Sequence, residues 1–288
     1  MIYLIYILNL FELMAFYFNA SEISALIGDH KYKSQDEAIL IFLDRSYRYF
    51  MKNSKDKEGK NINLPLYLNN YQLAITSDDS ILIKKAIVKL GGTDYIEKHI
   101  PNMTKYINEA AANQSNISDE LIIELVEDIN KSKNVLVENI NVDDLKKTLE
   151  KSVYKTRGKI EEDTRLSKYN PEINERNTET RIYKTEEYTI SGKRDGKLGD
   201  TIIELKTRKN WFKIPPKYDI IQLIVYMKIF NEKNGILIEQ KQDNTLKRET
   251  KIEFNELKWN KIHKKLLKVI ENISNITQDN IINIAKNI

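Results

Sequence analysis

The chain of 288 residues contains no cysteine, which excludes a thiolate-held zinc, an iron–sulfur cluster and a disulfide framework. Histidine is almost as scarce: His30, His99 and His263 are the only three, and their scatter lacks the spacing of a ligand set. Nine glycines and five prolines are too few for a collagen-like or low-complexity chain. Long hydrophobic runs are also missing, apart from residues 1–18 (MIYLIYILNLFELMAFYF), which Asn9 and Glu12 interrupt and no basic residue precedes. A spanning helix needs about 20 apolar residues and a secretory signal needs a positive start, so neither is expected. Either Met14 is the natural start, or the segment packs as a core helix or strand. The expected location is intracellular, with no membrane partner.

A hydrophobic fraction of 41% is enough for a genuine core, and the length suits one large domain or a catalytic core with an insertion. The net charge of +4 is small, but it is unevenly placed. Between Arg181 and Lys217 lie ten basic and five acidic residues, a local excess of +5 that accounts for all of the imbalance.

The first half reads as helical. Asn19-Ala20-Ser21-Glu22 opens a short helix that Gly28 closes, and Ser34 with Glu37 forms a capping box ahead of an apolar run. Residues 51–66 read as a surface loop. Helices follow at about 78–90, ending at Gly91-Gly92, and at about 94–112, 118–132 and 143–169. After Pro171 the pattern changes. Residues 180–191 and 201–208 have strand composition and are separated by the turn-rich segment 195–200. Pro215-Pro216 introduces a helix at about 217–231, which Gly235 ends. A hairpin turning at Asp243-Asn244 and an amphipathic helix from about Asn255 complete a mixed α/β order.

Chemistry concentrates at Asp195, Glu204-Leu205-Lys206 and Gln222. Strand alternation puts Glu204 and Lys206 on one face, with Ile203 and Leu205 on the other. A turn can bring Asp195 beside Glu204, giving an oxygen-ligand site for a hard divalent cation. Mg2+ suits it best, because it needs one or two carboxylates and keeps waters and a substrate phosphate. Such a cation polarises a scissile phosphate, while Lys206 would orient the attacking water or offset developing negative charge. An acidic residue, any residue, then Lys recurs eight times, so the tripeptide alone carries no signal. Only Glu204/Lys206 combines an apolar strand, a preceding Asp-Gly turn and a following helix.

With SGKRDG (191–196), TIIELKTRKN (201–210), YDIIQLIVYMKIF (218–230) and RGKIEED (157–163), the sequence resembles the PD-(D/E)xK nuclease superfamily. Within it, the likeness is to the YqaJ-like viral recombination nucleases related to lambda exonuclease. The resemblance implies a restriction-endonuclease-like core, a mixed central sheet flanked by helices, with a largely helical amino-terminal half. Residues 151–288 would form the nuclease core, 1–50 helices packed on it, and 51–150 a helical insertion. Asp195, Glu204, the Leu205 carbonyl and Glu162 would hold Mg2+, with Mn2+ as a substitute. Lys206 would be the catalytic lysine, and Gln222 the helical glutamine after the core strands. Ser21, Lys193, Arg194, Arg208, Lys209 and Tyr226 would contact DNA. Arg194 stands where the motif has proline, and no arginine precedes Ala20-Ser21 to grip a 5′-phosphate. The implied activity is exonucleolytic resection of linear duplex DNA in recombination or repair. A structure-specific or single-strand endonuclease, or an inactive DNA-binding module, are the alternatives. A single-strand annealing recombinase and a second copy of the chain are further implied partners, and host cytoplasm or nucleus is the implied location for a viral protein.

Each residue also has a plain reading. Asp195 could bond only to its own turn, Glu204 and Lys206 could be a solvated pair, and Glu161 could replace Glu162 as the inward acid. The strip Arg208, Lys209, Lys213 and Lys217, interleaved with Trp211 and Phe212, could be an ordinary surface loop or could follow a nucleic-acid backbone.

Overall fold

The computed structural model describes residues 16–53, 64–90, 103–113, 118–131, 142–170, 172–173, 179–241 and 246–288. The apolar start as far as residue 15, most of the loop expected at 51–66, Gly91-Gly92, Pro171 and the Asp243-Asn244 turn lie outside them. The chain forms two compact units, Met1–Phe42 with Thr164–Asn275 and Leu43–Asp163 with Ile276–Ile288. The architecture is mixed α/β, with a largely helical first half and mixed sheets.

In chain order the elements begin with β1 (Tyr17–Asn19), a 3-10 turn (Ala20–Glu22), α1 (Ile23–Leu26), α2 (Gln35–Asn53), α3 (Leu66–Thr76) and α4 (Ser80–Lys89). Then come α5 (Met103–Ala112), α6 (Asp119–Lys131), α7 (Val142–Tyr169), β2 (Thr180–Lys184), β3 (Thr189–Lys193), β4 (Gly196–Leu198) and β5 (Thr201–Arg208). The chain finishes with α8 (Lys217–Phe230), β6 (Asn234–Lys241), β7 (Lys247–Glu253), α9 (Glu256–Ser274) and α10 (Gln278–Lys286).

Among its described residues the first unit holds two sheets. In one, β3 pairs parallel with β1 and antiparallel with β2. In the other the order is β4-β5-β6-β7, with β5 and β6 parallel and both outer pairs antiparallel. Parallel neighbours need a crossover, and α8 supplies it between β5 and β6. Such a strand is covered on both faces and reads as continuously apolar. Accordingly Ile202 through Leu205 are all buried. Ile203 and Leu205 pack against Leu166, Ile173 and Ile238 on one face, leaving Glu204 and Lys206 on the other. Gly235 opens β6 where a Cβ would come within 2.8 Å of Met227 Sδ and 3.0 Å of Leu223, so the missing side chain lets α8 lie close on the sheet. Phe18 packs on Phe42 with ring centroids 5.0 Å apart, fixing β1 beneath α2.

The second unit is helical. Tyr67, Leu68, Tyr71 and Ala74 form the buried face of α3. The buried Tyr71 hydroxyl donates to Asp44 Oδ1 at 2.9 Å, and Asn70 Nδ2 donates to the Ile276 carbonyl at 2.8 Å. Among the described residues no helix is long and apolar enough to cross a membrane.

Several elements match the sequence pattern. Ser34 and Glu37 make the reciprocal capping box, at 3.0 and 2.7 Å, and Gly28 takes a left-handed φ of +72° after α1. The structure also corrects the pattern. The strand expected at 180–191 is a hairpin, because Thr185 turns the chain: its amide donates to the Tyr188 carbonyl at 2.9 Å and its hydroxyl accepts from the Tyr188 amide at 3.0 Å. The turn-rich stretch after Asp195 contains β4. The helix over 217–231 ends at Asn231, whose φ of 55° provides the left-handed cap assigned to Gly235. The helices α3 and α10 have no counterpart in the sequence reading. Asn69-Asn70 obscures the helical period of α3, while Thr277 and Asn280, a reciprocal cap, were a legible start for α10.

Candidate active site

The site grows from the β4-β5 hairpin and the buried face of α8. Asp195 precedes β4, and its Oδ2 accepts the Leu205 amide at 2.8 Å, which ties the turn to the neighbouring strand. Glu204 is buried, and its Oε1 takes Lys206 Nζ at 2.6 Å and Gln222 Nε2 at 2.8 Å. Lys206 Nζ also donates to Gln222 Oε1 at 3.2 Å, and Gln222 Nε2 donates to the Tyr226 hydroxyl at 3.2 Å. Gln222 and Tyr226 stand one turn apart on α8 and share a face. Asp195, Glu204, Lys206, Gln222 and Tyr226 are thus gathered at one place.

One atom of the cluster is unsatisfied. Glu204 Oε2 is buried and has no hydrogen-bond partner. A buried carboxyl oxygen beside a second carboxyl is satisfied by a shared proton or by a cation. Burial pushes the Glu204 carboxyl up, and the negative charge of the adjacent Asp195 adds to the shift. Burial works to lower Lys206, but Glu204, Asp195 and Asp219 outweigh it and hold the ammonium charged. Two carboxyls in contact, one buried with an orphaned oxygen, form a site whose deficit is positive charge. Among the described residues no group of three or more His, Asp or Glu side chains is placed to hold a metal ion. The donor set on offer is therefore two carboxylates and neighbouring backbone oxygen, which suits a cation that retains most of its waters.

Glu162 is half-buried on α7 within the second unit, and Ser21 and Lys193 are exposed, at the 3-10 turn and at the end of β3. Lys209 is exposed just past β5. Arg194 and Arg208 are both buried. Arg194 is 3% exposed, with its guanidinium 4.4 Å from the centroid of the Phe230 ring. Arg208 is buried in an ion network, bonded to Asp219 and, through Nε, to Glu239 Oε1 at 3.1 Å. A guanidinium at that depth needs carboxylate partners, and it has two.

Sequence reasoning overlooked Asp219, Glu239 and Arg248. Arg248 Nε donates to Glu239 Oε2 at 2.7 Å, and its Nη1 donates to the carbonyls of Phe212 and Lys213, both at 2.9 Å. The network therefore fastens the segment between β5 and α8. The signal was present: Asp219 is the lone acid in α8 and Glu239 the lone acid in β6, each within an apolar run.

No protein-family model matches the chain, and no curated protein matches it. Solved structures with a related arrangement include SSO0001, at 17% identity and TM-score 0.35, the match covering 58% of this chain and 85% of that one. An alkaline exonuclease (LHK-Exo) from Laribacter hongkongensis is also similar, at 14% identity and TM-score 0.35, over 58% of this chain and 86% of the other. The same exonuclease in complex with dAMP gives a TM-score of 0.37 at 14% identity and the same coverage.

Proposed function

We propose that this chain is a divalent-metal-dependent nuclease that hydrolyses phosphodiester bonds at the ends of linear duplex DNA. The observation that carries this reading is the buried, unpartnered Oε2 of Glu204 beside Asp195, within reach of a held-charged Lys206. Asp195, Glu204 and the Leu205 carbonyl would hold Mg2+, as the PD-(D/E)xK resemblance implies. The bound ion would polarise the phosphate and lower the pKa of a coordinated water.

The chain's own residues set up the rest. Lys206 pairs with Glu204 Oε1, and its ammonium would orient the water and offset charge that develops on the phosphate. Gln222 bridges Glu204, Lys206 and Tyr226, which fixes the rotamers of the carboxylate and the lysine. The Leu205 amide fixes the Asp195 carboxylate through Oδ2, where it would help to hold the ion. The preference for linear ends follows from the likeness to recombination exonucleases.

The test is to incubate the purified protein with end-labelled linear and supercoiled DNA, with Mg2+ or with a chelator. Linear DNA should be degraded only with Mg2+, and Lys206→Ala should lower the rate by about 10²–10³-fold while DNA binding persists. As an independent reading, Mg2+ should raise the melting temperature of the wild type and not that of Glu204→Gln. Absence of metal-dependent degradation of either DNA overturns the proposal, and cutting of the supercoiled form replaces the exonuclease with an endonuclease.

A further inference from the structure

Four rings from two distant parts of the chain meet at the amino-terminal end of α8. His30 stacks on Tyr218 with centroids 4.3 Å apart and planes 24° apart. Tyr32 stands against Phe212 at 6.4 Å and against Tyr218 at 6.3 Å. A cluster of this size normally seeks the core, yet Tyr32 is 60% exposed and the other three rings are only half-buried. What lies over it is cationic: Lys31 Nζ is 5.3 Å from the Tyr32 centroid and 5.8 Å from that of Phe212. The nearby acid Asp29 is already paired, with Lys217 and Lys265 both at 2.6 Å. Burial, followed by the charge of Lys33, keeps the His30 imidazole below its ordinary pKa, which favours the neutral ring for stacking.

Position connects the cluster to the catalytic set. Tyr218, Gln222 and Tyr226 recur every four residues and share one face of α8. Gln222 and Tyr226 belong to the carboxylate–lysine site, so Tyr218 extends that face by one turn, about 5.4 Å. Phosphates recur about every 3.4 Å along one strand of a duplex, so a strand entering the site reaches the rings within about two nucleotides.

We propose that His30, Tyr32, Phe212 and Tyr218 form a stacking platform for unpaired nucleotides of a nucleic-acid strand, with Lys31 meeting the backbone beside them. Rings give sequence-tolerant contact with bases and lysine gives phosphate contact, the combination that single-strand binders use. The purpose of the platform rests on the nuclease reading above, but its chemistry does not: the substrate class it specifies is a frayed or single-stranded end.

The experiment measures fluorescence anisotropy in chelator, so that no cleavage occurs, with labelled oligo(dT), oligo(rU) and a blunt duplex. Tyr32→Ala and Phe212→Ala should each weaken binding of the single strands by about tenfold, Tyr32→Trp should preserve it, and blunt-duplex binding should change by less than about twofold. The dT and rU arms distinguish DNA from RNA as the source. Tyr32 is so exposed that its alanine variant keeps the fold, and a matched melting curve verifies this. Unchanged single-strand binding in Tyr32→Ala, equal losses on duplex and single strand, or no single-strand binding by the wild type overturns the platform. An inert protein can pass this test and an active nuclease can fail it, so its outcome separates from that of the Lys206 experiment.

Discussion

Asp219→Asn removes one carboxylate from a network of two arginines and two acids. Arg208 and Asp219 are 10% and 3% exposed, and Glu239 is fully buried. Without the Asp219 charge, Arg208 and Arg248 must share Glu239, leaving buried positive charge uncompensated. Breaking a buried pair from one side costs about 3–5 kcal/mol. For a domain of roughly 150–250 residues each kcal/mol is worth about 2–4 °C, so the melting temperature should fall by about 6–20 °C. Because Asp219 lies in the first turn of α8, just ahead of Gln222, the proposed cleavage of DNA should slow as well, even at temperatures where the variant is folded. Thermal and urea melts monitored by circular dichroism read the first effect and cleavage of labelled DNA the second. The double variant Arg208→Met/Asp219→Leu should recover much of the stability, since apolar groups of similar volume need no partners. A loss under about 1 kcal/mol in Asp219→Asn, or a double variant no better than the single, would refute the account of the network.

Three other perturbations probe separate features. Gly192→Ala would place a Cβ 2.7 Å from Ile229 Cδ1 and 2.9 Å from the Tyr226 ring, so it should cost about 1–3 kcal/mol and pull Tyr226 from Gln222, seen as lower stability with slower cleavage in the same preparation. Burial works to raise the Asp29 carboxyl, but hydrogen bonds from Lys217 and Lys265 outweigh it and hold the group below its ordinary value. A carboxylate lowered on folding contributes stability that is full above its unfolded pKa and is lost as pH falls through the folded one. The stability difference between wild type and Asp29→Asn should therefore be present at about pH 6 and shrink steadily as the pH falls below the ordinary aspartate value, as paired urea titrations would show. Asn255 accepts the Lys258 amide at 3.1 Å as the N-cap of α9, and Asn255→Ala should cost about 1 kcal/mol with no effect on cleavage.

The fold class was legible in the sequence, and local pattern also grouped the residues around the candidate site. Alternation along 201–208 separated Glu204 and Lys206 from Ile203 and Leu205, because a strand covered on both faces leaves charge only where something needs it. The Asp-Gly turn and the Pro215-Pro216 boundary then placed Asp195 and Gln222. Local pattern could not show that Arg194 and Arg208 are buried. Both belong to a basic run that resembles a surface loop, and only tertiary partners, the Phe230 ring and the acids Asp219 and Glu239, draw them inward. His30 likewise carries no sequence signal, since its ring partner Tyr218 is far along the chain. The hairpin at Thr185 was hidden because a hydroxyl does the work that glycine or proline more often advertises.

Every side chain gathered at the unpaired carboxylate oxygen comes from one uninterrupted span, Asp195 to Tyr226. Closing so short a loop carries little entropic penalty, so the constellation can assemble among near neighbours in the chain. Distant segments of the chain can thus be lengthened, trimmed or exchanged without separating the members of this cluster.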